Sequence, residues 1–483
     1  MKRALMPALA AMALVLSLTG CAATDNSSVS RPGQPLVLTG VQLPALVGKA
    51  PGRIVAFRHT RRDDTPRWTQ IPVQIDERKV VPFGTQPPDN RTPGVTGTVY
   101  GHGGGGPAAV QYVDPNTFVG PDDDPAFDGN DELVFMVSDS GGKPRPEDPQ
   151  TPPGVVAGSG VAVQMDDPQR DGQHAWVYLF VSNGSLDPSA GKDYVDYDFE
   201  LTSGDYKTTY RRSQGRNPET SRVVTDQYRI DFSDRWFEDS WQVRAGDASG
   251  VDLLDGHKNQ FAIDFCGRSN ATFADAEGAF VANIDGPVRA IRSYVGANSG
   301  PRTQRTHKMY RDRETIVTNL RVHAIPGVMD FIDYSAAASG MVYRSSTRPS
   351  GVRVNGAPDP ISTEPASWEV VNGPQGAVFT RSVFSTSVAG LDDRTSWFYR
   401  DQVDPPEEQC WGDDSFYAAS GNEITGGIPN TDPAVGPAAT VTGTRTVHFS
   451  PPFDDGTRLV AAARALAADL AQPLRVTVSR HQP

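Results

Sequence analysis

Apolar side chains in this chain recur with a period of two, and almost nowhere before residue 455 with the period of a helix. In Ile71-Pro-Val-Gln-Ile75, the residues Ile71, Val73 and Ile75 share one face, while Pro72 and Gln74 share the other. That alternation predicts a strand, and Pro72, lacking an N–H, predicts that it lies at a sheet edge. Runs at 53–57, 132–137, 160–165 and 175–181 read the same way, with 132–137 apolar on both faces and therefore central. A chain with this pattern is constrained to an all-β fold.

Composition supports that reading. The 47 glycines and 40 prolines supply turns, and the 37% of apolar residues, spread along the whole length, supply cores. The turn-forming stretch Asn183-Gly-Ser-Leu-Asp-Pro-Ser-Ala-Gly191 marks a boundary. Before it lies an N-terminal β-sandwich, 36–185. After it the predicted strands are longer, including 194–201, 206–210, 227–232, 260–266, 288–295, 306–311, 314–325, 377–385 and 441–449. Residues 454–471 carry Leu459, Ala463, Leu466 and Leu470 at helical spacing, with Asp454 or Asp455 as the cap and Pro473 as the stop. A strand at 474–478 then closes the second unit, 193–480.

The N-terminus predicts location. Lys2 and Arg3 precede an apolar stretch, 4–19, of secretory-signal size. It ends in Leu18-Thr-Gly-Cys21, which resembles the lipobox of bacterial lipoproteins. The resemblance implies cleavage of a signal peptide, 1–20, and lipid on Cys21. Two or more acyl chains anchor stably where one does not, so the protein would face outward from a membrane surface. Residues 21–35 are small, polar and Pro/Gly-containing and read as a flexible tether. The net charge of −13 and the lack of a basic tract exclude nucleic acid as a partner. Besides Cys21 there are two cysteines, Cys266 and Cys410. In an oxidising compartment they form one disulfide or remain two buried thiols.

The second unit has a further resemblance. Residues 285–325 place a Gly-Pro-Val-Arg strand before a Tyr-Arg-Asp turn and a long strand, and Trp368-Glu-Val-Val-Asn-Gly-Pro-Gln-Gly376 follows. Together these are similar to the galactose-mutarotase-type supersandwich of sugar epimerases and polysaccharide lyases. The resemblance implies a larger antiparallel supersandwich after the N-terminal β-sandwich, with one C-terminal helix. It also implies an extracellular glycan or other envelope polymer as partner, with lyase or epimerase action on a uronate as one reading. A non-catalytic envelope-binding or structural lipoprotein is the other.

Several clusters could carry chemistry. If 314–325 is one strand, Asn319, Arg321 and His323 share a face, with Arg292, His307 and Tyr310 on neighbouring strands. Arginine, here also Arg289, suits a sugar carboxylate, and histidine or tyrosine can move a proton. The alternative is an ordinary solvated sheet face. Trp411 is either a sugar platform or packing over the disulfide, and Trp236, Phe237 and Trp241 are either core or a binding rim. Residues 122–132 hold seven oxygen-bearing side chains. Asp122, Asp124, Asp128, Asn130 and Glu132 would suit Ca2+ as the one cofactor; the alternative is a series of turns into a strand. Motifs of serine hydrolases, zinc proteases and dithiol oxidoreductases are absent.

Overall fold

A computed structural model describes residues 29–31, 33–82, 108–117, 119–204, 218–260, 278–296, 303–320, 325–404, 415–429 and 441–481. All its sheets are antiparallel, and among these residues there is one α-helix, Gly456–Ala471. The all-β class, with sandwich layers and a helix near the C-terminus, is the one read from the alternation. Among the described residues, no helix is long and apolar enough to cross a membrane.

The first half is a sandwich. A five-stranded sheet runs in the order Arg475–Arg480, Val161–Asp166, His174–Val181, Ile54–Arg62, Thr65–Ile71. It packs on a three-stranded sheet of Pro35–Thr39, Glu132–Met136 and Gln74–Asp76, with Leu38, Leu133, Phe135, Ile54, Val177 and Leu179 between them. Glu132–Met136 is central, as its apolar character on both faces required. Two expectations are corrected. The run 71–75 is not one strand: the chain leaves the first sheet at Ile71 and enters the second at Gln74. Pro72 has no N–H to continue the ladder, so the crossing falls there. The final strand does not close the second unit either. It pairs with Val161–Asp166, register Val476 to Met165, and so completes the first sandwich.

The second half is built on a nine-stranded sheet in the order Gly278–Ile284, Ala290–Gly296, Gln304–Met309, Arg313–Asn319, Val441–Ser450, Gly376–Thr386, Glu369–Gly373, Val342–Ser345, Val352–Arg353. Two four-stranded sheets pack on its inner face. One contains Pro218–Val224, Tyr228–Asp234 and Phe237–Val243; the other contains Leu254–Gln260, Ile325–Tyr334 and Ser415–Ile428. Val223, Tyr228, Trp241 and Ile332 meet Ala290, Met309, Val378 and Val447 there. The helix covers part of the outer face, seating Leu459 and Ala463 on Trp368, Val370 and Phe379. Asp455 caps it by accepting from the Thr457 N–H at 2.7 Å.

Candidate functional site

Cross-strand register decides which side chains share the inner face of the large sheet. Arg292 lies opposite His307, His307 opposite Ile316, and Ile316 opposite Arg445. One row along, Met309 lies opposite Glu314, and Glu314 opposite Val447. A hydrophobic inner face would be ordinary. This one carries Arg292, Arg305, His307, Glu314, Arg445 and Glu369, all buried. Buried charges must be paired, and the facing sheets supply the partners.

Three ion-pair groups result. Arg292 takes Glu219 in a two-pronged bond, with its Nη1 2.8 Å from Glu219 Oε2, and it also donates to the Tyr197 hydroxyl at 3.1 Å. Arg445 donates to Asp330 Oδ1 at 2.9 Å, and the same oxygen lies 3.0 Å from His257 Nε2. Asn259 joins this group to Arg305: its amide donates to Asp330 Oδ2 at 3.1 Å, and its oxygen accepts from Arg305. At the centre of the layer, His307 Nδ1 stands 2.7 Å from Glu314 Oε1 and 3.0 Å from Glu238 Oε1. Trp241 Nε1 donates to the other Glu238 oxygen at 3.0 Å. The exposures of Glu238, His307 and Glu314 are 3%, 2% and 0%.

Electrostatics at this centre follow from the burial. Burial pushes the Glu314 carboxyl well up, and the neighbouring Glu238 charge adds to that. Burial acts against the Glu238 charge too, but His307 outweighs it and holds Glu238 down to about 2. Burial lowers His307, with Arg305 and Arg292 adding to the effect against the pull of Glu238.

Of the residues nominated from sequence, the fold brings Arg292 and His307 together on the inner face. It sends Asn319 to the opposite face, where the Asn319 oxygen accepts from the Thr442 hydroxyl at 3.0 Å. The single strand expected at 314–325 is two: Arg313–Asn319 in the large sheet, and Ile325–Tyr334 in a facing one. Arg321 and His323 lie outside the described residues, as do Cys21, Cys266, Cys410 and Trp411. Trp236 and Trp241 are core, 1% and 0% exposed.

Arg289 and Tyr310 are not open to a sugar. Arg289 is fully buried, with Nη2 donating to Asp76 Oδ2 and Glu132 Oε2, both at 2.6 Å, and Nη1 donating to the Tyr310 hydroxyl at 3.2 Å. Glu132, proposed above as a calcium ligand, also accepts from Arg78 at 2.6 Å and from the Tyr112 hydroxyl at 2.7 Å. It is the anionic half of a joint between the two units. The rest of the acidic segment forms turns. Asp122 Oδ1 accepts from the Asp124 N–H, Asp124 Oδ1 from the Ala126 N–H, and Asp128 Oδ1 from the Asn130 N–H. Among the described residues, the one group of three carboxylate or imidazole side chains with ligand atoms within 4.8 Å of one another is Glu238, His307 and Glu314.

Sequence reasoning missed Glu238, Glu314, Asp330, His257, Arg445 and Glu369. A signal existed for some of them. In the strand 441–449, Val441, Gly443, Arg445, Val447 and Phe449 share one phase, so Arg445 occupies a core position among apolar neighbours. Asp330 sits likewise between Val328 and Ile332. A charge in the apolar phase of a strand marks a buried ion pair, though not its partner. No protein-family model matches the chain, and no curated protein does.

Proposed function

We propose that the protein is an exported, lipid-anchored envelope protein that acts as a non-catalytic binding or structural scaffold. The observation that carries this reading is the fate of Arg292 and His307, the two inner-face nominees for uronate chemistry. Both are buried. Arg292 is paired with Glu219, and His307 stands between Glu238 and Glu314. A base sealed between two sheets has no geometry for taking a proton from a polymer. The lipobox-like Leu18-Thr-Gly-Cys21 supports the anchor. The expected tether also shortens. Arg31 is buried and donates to both Asp167 oxygens and to the carbonyls of Asp469 and Gln472. About ten residues then separate the lipid from the fold, which at full extension reach roughly 35 Å. The scaffold would ride close to the membrane, and the supersandwich likeness makes an extracellular glycan the partner class to test first.

Two experiments test this reading. Cys21→Ser is expected to move the protein from the membrane fraction to the soluble fraction. Incubation with acidic and neutral polysaccharides is expected to yield no unsaturated-uronate absorbance. Turnover of any polysaccharide by the wild-type protein, with release of an unsaturated uronate, would overturn the non-catalytic reading and restore the lyase one.

A further inference from the structure

We propose that Glu238, His307 and Glu314 hold a structural divalent transition-metal ion inside the larger sandwich. The three come from three strands in two facing sheets, Phe237–Val243, Gln304–Met309 and Arg313–Asn319. Their ligand atoms converge: His307 Nδ1 is 2.7 Å from Glu314 Oε1 and 3.0 Å from Glu238 Oε1. Donors bound at about 2.0–2.2 Å stand about 3.0 Å apart at right angles and about 3.4 Å apart in a tetrahedron, so a bound ion would spread the 2.7 and 3.0 Å contacts by a few tenths of an ångström.

Hydrogen bonding alone leaves this centre incomplete. Nδ1 of a neutral imidazole carries at most one proton, and two carboxylates face it. Among the described residues, Glu314 Oε2 has no hydrogen-bond partner, Glu238 Oε1 has only the 3.0 Å contact with His307 Nδ1, and both side chains are buried. Unpaired buried carboxylate oxygens are costly. A divalent cation would meet both Oε1 atoms and Nδ1 at once, and its charge would match that of two ionised glutamates. One outer contact, that to Glu238, has the right form, while His307 Nε2 has no partner among the described residues. Trp241 Nε1 holds Glu238 by Oε2, which leaves Oε1 directed at the centre.

The donor set limits which ion. One imidazole with two carboxylates suits Zn2+, Mn2+ or Fe2+. Calcium and magnesium prefer all-oxygen shells. Because the centre is sealed, the ion would enter as the sheets close, and its binding free energy would add to that of folding. The site is separate from the acidic loop at 122–132, and the proposal does not depend on lipid anchoring.

The competing occupant is a proton shared between Glu238 and Glu314, and Glu314→Gln separates the two. A glutamine amide can replace a protonated carboxyl as a donor but is a poor ligand for a transition metal. The full mature chain is produced with Zn2+ and Mn2+ in the medium, dialysed, and analysed by elemental mass spectrometry. The expected result is about one ion per chain, lost when the protein is unfolded with chelator. Refolding with Zn2+ or Mn2+ should then raise the melting temperature by roughly 5 °C or more over refolding without metal. Glu314→Gln should carry little metal, and its melting temperature should ignore added Zn2+. A wild type holding less than about one-tenth of an ion per chain, both as isolated and after refolding with either metal, overturns the proposal whether or not the variant folds. A metal-free Glu314→Gln that melts at or above the wild type would assign the centre to the proton instead.

Discussion

The guanidinium of Arg289 donates to the carboxylate of Glu132 at 2.6 Å, across 157 positions of sequence. One residue stands in the second half of the chain and the other in the central strand of the first sandwich. Asp76 takes the same Nη2 at 2.6 Å. The two units are therefore joined by buried charge as well as by apolar packing. Removing one member leaves its partners desolvated and unpaired. Arg289→Met is expected to cost about 3–5 kcal/mol, read as a lower urea midpoint. A loss below about 0.5 kcal/mol would show that the joint does not hold the units together.

The same joint predicts a pH dependence. Burial alone would raise the Glu132 carboxyl, but Arg289, Lys308 and Arg78 outweigh it and bring it from 4.5 down to about 2. The folded value lies below the unfolded one, so this contribution is fully present above about pH 4.5 and fades as the pH falls toward about 2. Glu132→Gln should therefore be less stable than wild type at neutral pH and approach it in acid. Urea titrations in steps between pH 7 and pH 2 check this; a constant gap over the range would contradict it.

Arg31 predicts a local effect. It lies in a segment whose composition resembled a tether, yet its guanidinium is locked to Asp167 and to the end of the helix. Arg31→Ala should release the segment preceding the first strand, Pro35–Thr39. Faster amide exchange and proteolysis near residues 29–34 are expected, with the central strands unchanged. Equal protection in both proteins would remove the latch.

The last strand predicts a long-range effect. Arg475–Arg480 is paired to Val161–Asp166, and Leu474 is buried in the first core. Truncation after Gln472 would uncover that sheet edge. It should lower the melting temperature and promote aggregation, although the deleted residues lie at the far end of the chain. A truncated protein that melts and stays monomeric like the full chain would refute this.

Asn319→Ala supplies a contrast. Asn319 faces away from the buried charges, and its side-chain oxygen accepts from the Thr442 hydroxyl. The substitution should change stability by no more than about 0.5–1.5 kcal/mol. A loss comparable with that of Arg289→Met would mean that its face is more tightly built than this contact implies.

Local pattern was enough for the all-β class, the central character of Glu132–Met136, the C-terminal helix and its aspartate cap. Each depends on a few neighbouring residues: alternation at a period of two, a run apolar on both faces, and a polar residue ahead of a helical stripe. Pairings between distant residues have no such local cause. Nothing near Glu132 distinguishes a calcium ligand from the partner of Arg289, because a carboxylate answers to whichever cation the fold brings within reach. Nothing near His307 announces Glu238 and Glu314, since the meeting depends on the register of one sheet and the stacking of another. The same holds for the last strand, whose edge partner is set by the return of the chain and not by its own composition. Periodicity is written along the backbone, whereas the environment of a charge is decided by the surfaces that close over it.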